Sequence, residues 1–147
     1  MKKRIILIIS ILLIITAALA CIYVFNRPTV ESGTILLKTG SGDKTISFSE
    51  LPMSKVSGET TNKKGETKKI DAKGYSLSDI PALAGITDYN DIVVFSDDEY
   101  NAEASKAELA DHDKAWLIND DGGIRLIVFK DEDSKRNVKN VVRIEIR

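Results

Sequence analysis

Cysteine and histidine, which often serve as nucleophiles, bases and metal ligands, each occur only once in this chain. The only cysteine, Cys21, lies within an apolar segment, so the rest of the chain has no thiolate for a disulfide, a soft metal or a nucleophile. The only histidine, His112, lies between Asp111 and Asp113, a pattern typical of a solvated surface. A lone histidine predicts neither a zinc site nor an activated serine.

Acidic clusters are the remaining candidates for a metal site. They are Asp97-Asp98-Glu99, Asn119-Asp120-Asp121 and Asp131-Glu132-Asp133. Their oxygens suit calcium, but none of the clusters has the alternating spacing of an EF-hand loop, so we interpret them as solvated turns. The sequence also lacks a glycine-rich phosphate loop, which leaves nucleotide binding without positive support.

An uncharged apolar segment, residues 5–25, determines where the protein is expected to reside. Its length matches the ~20 residues that a helix needs to cross about 30 Å of hydrocarbon. Because Lys2, Lys3 and Arg4 precede it and basic residues resist translocation, residues 1–4 should form a cytoplasmic tail. The prediction is a single-pass protein of the cell membrane, held by residues 5–25, with everything after them outside.

Three fates of this segment are compatible with the sequence. The first is an uncleaved anchor, since residues 22–25 prolong the apolar stretch beyond any cleavage point. The second is removal as a signal peptide after Ala20, where Ala18-Leu19-Ala20 matches the A-x-A pattern. The third is lipidation of Cys21, because residues 18–21 partly resemble the lipobox of bacterial lipoproteins.

The exported part is mildly acidic. Without the three basic residues of the tail it contains 18 basic and 22 acidic residues, a net charge of −4, and the two signs are mixed along the chain. Nucleic acid is therefore not expected as a partner. Residues 26–33 have no periodicity and are predicted to be a linker. Residues 34–147 are enough for one extracytoplasmic domain with its own core, and not for two.

Beyond the linker, the pattern is mostly that of strands. Strands are predicted at 34–38, 44–48, 55–59, 67–71, 91–95, 114–119, 124–130 and 138–146. Turn residues 62–65 and 120–123 place hairpin tips between two pairs of them. In the last strand, alternation predicts Val142, Ile144 and Ile146 on one face and Arg143, Glu145 and Arg147 on the other.

Two short helices complete the predicted α+β, mainly β, fold. The first begins near Ser76 or Ser78, either of which is expected to cap its amide groups, and ends at Gly85. The second begins after Ser105, which has the capping-box spacing with Glu108, and ends near Ala110.

The order of pieces between Gly74 and Ile146 resembles the molybdopterin-binding domain of sulfite oxidase-type oxidoreductases. That family has a G-x-x-L helix, a strand, an Asp-Gly-Tyr turn, a short helix, a strand ending in asparagine, a Gly-x-x-Arg-Leu strand and a Lys-x-Val-x-x-Ile strand. The corresponding pieces here are Gly74-Tyr75-Ser76-Leu77, residues 91–95, Asp98-Glu99-Tyr100, residues 105–110, Leu117-Ile118-Asn119, Gly123-Ile124-Arg125-Leu126 and residues 139–144. The resemblance covers about half the protein and lies in order and spacing.

The resemblance implies four ligand-binding candidates. Arg125 matches a family arginine that faces an anionic pocket, and Arg136 stands near the place of a cofactor-phosphate lysine. Tyr100 and Asn119 would line the same pocket. A guanidinium suits oxyanions because it stays charged and offers a fork of donors. The alternatives are arginines that pair with surface carboxylates and a tyrosine that is a half-buried aromatic beside a strand end.

The family's reaction needs a ligand that this chain does not supply. In the family a cysteine thiolate upstream holds the molybdenum, and hard oxygen groups do not replace it without changing the metal chemistry. We therefore expect a noncatalytic domain without a cofactor that binds a small anionic ligand or an envelope protein. The alternative is a pterin-containing oxidoreductase or redox subunit, completed by another chain and binding molybdopterin as the resemblance implies.

Overall fold

The N-terminal apolar segment forms one long helix. The computed structural model describes residues 2–25, 33–132 and 134–147, and α1 spans Lys2–Phe25. Its window Ile5–Ile22 is long and apolar enough to cross a membrane, as a secretion signal also would be, and none of it is buried against the domain. The hydroxyls of Ser10 and Thr16 donate to carbonyls one turn earlier, so no polar group of these two side chains is left for the hydrocarbon to solvate.

The predicted linker falls largely outside the described residues, which resume at Gly33. From there the described chain forms nine strands: β1 Thr34–Thr39, β2 Gly42–Ser47, β3 Ser54–Thr61, β4 Thr67–Ser76, β5 Asp91–Ser96, β6 Asn101–Ser105, β7 Ala115–Asp120, β8 Gly123–Val128 and β9 Val141–Ile146. Short 3₁₀ turns occur at Phe48–Glu50, Leu77–Asp79 and Ser134–Arg136. The mainly β fold predicted from the sequence is confirmed.

The strands form two sheets. The first has the order β2-β1-β9-β5-β6 and the second β3-β4-β7-β8. All neighbours are antiparallel except β1 and β9, which run parallel, with Leu37 opposite Ile144. The two predicted hairpins, β3–β4 and β7–β8, both form with their tips where turn residues were found.

The main core lies between the two sheets. Residues that alternate along the strands meet there, and Ile35, Leu37, Leu117 and Ile144 have no exposed surface. A smaller apolar cluster covers the outer face of the second sheet around Trp116.

The two predicted helices are present but short. Helix α2 spans Ile80–Leu83 and ends before Gly85, whose φ of +71° suits the reversal that follows. Helix α3 spans Lys106–Leu109, and its capping box between Ser105 and Glu108 is formed in both directions, as predicted. The expected cap on the first helix is wrong. The Ser76 hydroxyl instead donates to the carbonyl of His112, which joins β4 to a distant loop.

Two strand predictions need correction. Strand β6 was not expected, and the last strand begins at Val141 rather than Val138. Val138 exchanges two backbone hydrogen bonds with Leu126 of β8, and Asn140, at φ +50°, then turns the chain into the first sheet. A bulge follows, because Ser96 pairs with Val141 and Phe95 with Arg143. Val141 is therefore buried in place of Val142.

Gly74→Ala tests the contact between β4 and β7. A Cβ at Gly74 would lie 2.5 Å from the backbone oxygen of Leu117, which is fixed by the sheet. We expect the free energy of unfolding to fall by about 2–3 kcal/mol, as overpacking does. Urea denaturation of the full-length protein in detergent measures it. Gly40→Ala, where a Cβ meets nothing within 4 Å, is the control and should change stability by less than about 0.5 kcal/mol. Equal stability of both variants would contradict this packing.

Candidate functional site

Arg136 is held by carboxylates of its own domain. Its Nε and Nη2 donate to the two oxygens of Asp131 at 2.8 and 2.6 Å, and its Nη1 donates to Glu108 at 2.9 Å. Lys114 donates to the same Asp131, whose side chain is only 14% exposed. Burial alone would raise the pKa of Asp131, but the hydrogen bonds from Arg136 and Lys114 outweigh it and lower the pKa. The guanidinium thus ties the Ser134–Arg136 turn to α3.

Arg125 is also paired internally. It extends from the outer face of β8, and its Nη1 donates to Asp120 at 2.8 Å across the β7–β8 hairpin. This hydrogen bond is the main reason that the pKa of Asp120 is lowered. The buried Nε of Arg125 has no hydrogen-bond partner among the described residues. Both arginines therefore follow the simpler of the two sequence interpretations, in which they pair with carboxylates.

Asn119 lines a different surface from Arg125. Arg125 is paired with Ile118, whose side chain is in the outer cluster, whereas Asn119 is paired with Ile124, which is in the main core. Successive residues of a strand point to opposite faces. Arg125 and Asn119 therefore lie at adjacent positions of the β7–β8 pairing, but their side chains point to opposite faces of the second sheet.

Asn119 forms part of a cavity of about 400 Å³ at one open end of the two sheets, which we call the sheet-end cavity. Apolar side chains of Phe48, Met53 and Ile124 line it, while Lys73 and Asn119 supply its polar side. Lys73 directly precedes Gly74, which pairs with Ile118, so the β4–β7 register brings Lys73 and Asn119 to the same end of the sheet. No ion pair with Lys73 is present among the described side chains.

The backbone of the β7–β8 turn adds to this cavity. Gly122 and Gly123 both line it, and Gly122 has a φ of +82° that a residue with a Cβ adopts only with strain. A volume of this size, with an apolar lining and a few convergent polar groups, is typical of a small-ligand site. One ammonium group and one amide at the edge suit an anionic group attached to an apolar body.

Tyr100 lies in another concave surface of about 430 Å³, which we call the lysine–tyrosine cleft. The β3–β4 tip supplies Lys63 and Lys64, and Lys135 lies on the other side. The Tyr100 hydroxyl donates to the carbonyl of Lys135, yet 49% of the residue stays exposed. The four candidates therefore do not form one pocket: two line separate cavities, and neither arginine lines either cavity.

His112 occupies the polar surface that the sequence suggested. Its side chain is 56% exposed, and its Nε2 lies 3.0 Å from Asp79, whose hydrogen bond raises the pKa of the imidazole. The ring meets Trp116 edge-on, with centroids 5.5 Å apart. Among the described residues no serine hydroxyl bonds to the imidazole, and the contact with Asp79 joins the His112 loop to the 3₁₀ turn before α2.

The donor groups of the domain do not fit molybdenum. Among the residues that the structure describes, no three His, Cys, Asp or Glu side chains lie close enough to hold a metal ion. Cys21 belongs to the apolar helix α1 and lies outside the domain in sequence. The soft thiolate that the resemblance requires is thus not provided by this domain.

Comparison with known proteins adds no assignment. No model of a protein family matches the chain, and no curated protein matches it. The resemblance to molybdopterin-binding domains therefore stays a prediction.

Sequence reasoning found one residue of each cavity and missed the rest. Phe48, Met53 and Lys73 come from three segments that only the tertiary fold brings to Asn119. A local signal was available for the cleft, since Lys63 and Lys64 occupy the predicted tip of a basic hairpin. Their position opposite Tyr100 and Lys135 is a nonlocal contact that the spacing of residues does not reveal.

Asp131→Asn should destabilise the protein by about 2 kcal/mol, because Lys114 and Arg136 lose their shared charge partner while Arg136 keeps Glu108. The lowered pKa of Asp131 means that its contribution is present above the unfolded value of about 3.9 and is lost as pH falls through the folded value. Urea denaturation between pH 2 and 7 should therefore show a smaller loss of stability in acid for the variant.

Asp88→Asn is the matched control for this experiment. Its carboxylate is fully exposed and lies 3.4 Å from Lys106, so its removal should cost less than about 0.5 kcal/mol. An equal loss of stability in the two variants, or an unchanged acid dependence in Asp131→Asn, would contradict a stabilising role for the contacts of Asp131 with Lys114 and Arg136.

Proposed function

We propose that this protein is a membrane-anchored, extracytoplasmic binding domain that holds a small anionic ligand in the sheet-end cavity. The observation that carries the proposal is that one cavity has both a mainly apolar lining and two polar side chains, those of Lys73 and Asn119. Both arginines suggested by the sequence are neutralised by neighbouring carboxylates. Lys73 is therefore the cation best placed to meet a ligand.

The cavity is connected to the anchor by a short stretch of chain. Gly33 lines the cavity, and only seven residues, or eight Cα–Cα steps, separate it from Phe25, the last residue of α1. Even a fully extended chain spans no more than about 28 Å over this distance. With residues 5–25 in the bilayer, the cavity stays close to the membrane surface, on the side set by the basic N-terminal tail.

The chemistry of the lining selects the ligand class. Phe48, Met53 and Ile124 favour an apolar body, while Lys73 and Asn119 donate to a carboxylate or phosphate. A charge-assisted hydrogen bond in this partly enclosed site contributes more than one in open water. The ligand is thus a small amphipathic anion rather than a bare inorganic ion.

Octanoate is a suitable probe for this site. Chemical-shift titration of the full-length protein in detergent should show octanoate shifting Gly122 and Gly123, while octanol and inorganic phosphate bind more weakly. Lys73→Ala should weaken octanoate binding about tenfold, which corresponds to about 1.4 kcal/mol. Lys55→Ala is the control, because Lys55 pairs with Lys73 in the β3–β4 register but does not line the cavity. Equal affinity of the Lys73→Ala variant would refute the proposal.

The proposed function is noncatalytic, which a separate measurement tests. Purified full-length protein should contain molybdenum and pterin at far below one equivalent per chain, because the domain supplies no thiolate ligand. Elemental analysis with extraction of pterin measures both. Stoichiometric molybdenum would instead favour an oxidoreductase subunit completed by another chain.

A further inference from the structure

The lysine–tyrosine cleft is a second concave surface that the proposed function does not use. It lies between the tip of the β3–β4 hairpin and the 3₁₀ turn Ser134–Arg136, with Tyr100 between them. The sheet-end cavity shares none of its lining residues. Any ligand of the cleft is thus separate from the ligand of the cavity.

Tyr100 is the most unusual side chain of this surface. Among the described residues, every other large hydrophobic side chain with comparable exposure belongs to α1. The phenol does not move freely, because its hydroxyl donates to the Lys135 carbonyl and its backbone N–H donates to Asp98. A fixed, exposed ring beside polar groups is a feature of sites that stack a planar or cyclic ligand group.

The hairpin tip presents two lysines from a rigid turn. The Asn62 side-chain oxygen accepts the backbone N–H groups of Lys64 and Glu66 at 2.9 and 3.0 Å. The Asn62 amide also donates to the carboxylate of Glu66, a residue that lines the cleft, at 2.6 Å. No described residue forms an ion pair with Lys63 or Lys64.

Charge and aromatic surface together define the ligand. Lysines are compact point charges that suit phosphate or carboxylate oxygens, and the side-chain amide of Asn137 lies in the same cleft and can donate to a hydroxyl group. The exposed phenol supplies an apolar face for a ring. We infer that the lysine–tyrosine cleft binds a sugar ring that carries a phosphate or carboxylate, the ring against Tyr100 and the anion between the lysines.

An anionic lipid surface is the competing ligand class, and the geometry disfavours it. A flat field of headgroups would be attracted by all exposed lysines of the hairpin, including Lys68 and Lys69, which lie outside the cleft. It would also have no ring for Tyr100 to contact. The concave shape and the aromatic face both favour a discrete saccharide.

Titration of the full-length protein in neutral detergent with glucose 1-phosphate tests the inference. Glycerol 1-phosphate, which has the charge without the ring, and glucose, which has the ring without the charge, are the comparison probes. We expect amide shifts at Lys63, Lys64 and Tyr100, with glucose 1-phosphate at least fivefold tighter than either comparison probe. Gly122 and Gly123 of the sheet-end cavity should not shift.

Three variants and one control distinguish binding in the cleft from a general electrostatic attraction to the basic hairpin. Lys63→Ala/Lys64→Ala and Tyr100→Ala should each weaken glucose 1-phosphate at least fivefold, whereas Tyr100→Phe, which keeps the ring, should lose less than Tyr100→Ala. The control is Lys68→Ala/Lys69→Ala, which removes the same charge from the same hairpin and should change affinity less than twofold. Thermal melting confirms that each variant is folded.

Two outcomes would overturn the inference. Equal binding of glycerol 1-phosphate and glucose 1-phosphate would show that the ring contributes nothing and would favour lipid headgroup chemistry. An equal loss of affinity in the Lys68→Ala/Lys69→Ala control would show that the charge of the hairpin acts without the cleft. Neither outcome affects the octanoate test of the sheet-end cavity, so the two proposals fail independently.

Discussion

The parallel pairing of β1 with β9 is the interaction on which the rest of the domain depends. It joins β1, the first described strand after α1, to β9, with Leu37 opposite Ile144 and both fully buried. Because β9 also pairs with β5, this contact places β1 within the five-stranded sheet. Gly33, the residue before β1, lines the sheet-end cavity, so the same pairing also fixes where β1 lies relative to that cavity.

Three lysines at the two cavities differ from the arginines of the domain in their partners. Arg125, Arg136 and Arg143 all hydrogen-bond to carboxylates, and the forked guanidinium of Arg136 joins three elements through Asp131, Glu108 and the Glu103 carbonyl. Lys63, Lys64 and Lys73, by contrast, form no ion pair with any described residue. A planar fork with several donors is suited to fixing structure, while a single mobile charge is suited to meeting a ligand. This division explains why the arginines singled out by sequence are poor binding candidates.

Local sequence signals predicted much of the fold. The hairpin tips at residues 62–65 and 120–123, and the capping box from Ser105 to Glu108, depend on neighbouring residues alone, and all three formed as predicted. Strand β6 was missed because its sequence, Asn101 to Ser105, contains alanines and polar residues of low β-propensity. It is a strand because Ala102 and Ala104 pack into the core beside β5, which is a tertiary effect.

The site was harder to predict than the fold for the same reason. Asn119 and Arg125 lie on paired strands, but a one-residue difference in register places them on opposite faces of the sheet. The cavity around Asn119 also needs Phe48 and Lys73, which are distant in sequence and carry no motif. Asp120 and Asp131, which pair with Arg125 and Arg136, are each five residues from their arginine, yet only the turn geometry shows that they pair.

Intermolecular NOEs from octanoate to the full-length protein are the most direct test of the central claim, that an apolar cavity with one cation holds a small anion. The account predicts NOEs from the octanoate chain to the side chains of Phe48, Met53 and Ile124, and from the methylene beside the carboxylate to Lys73. Contacts confined to the outer face around Arg125, or no contacts at saturating octanoate, would contradict it.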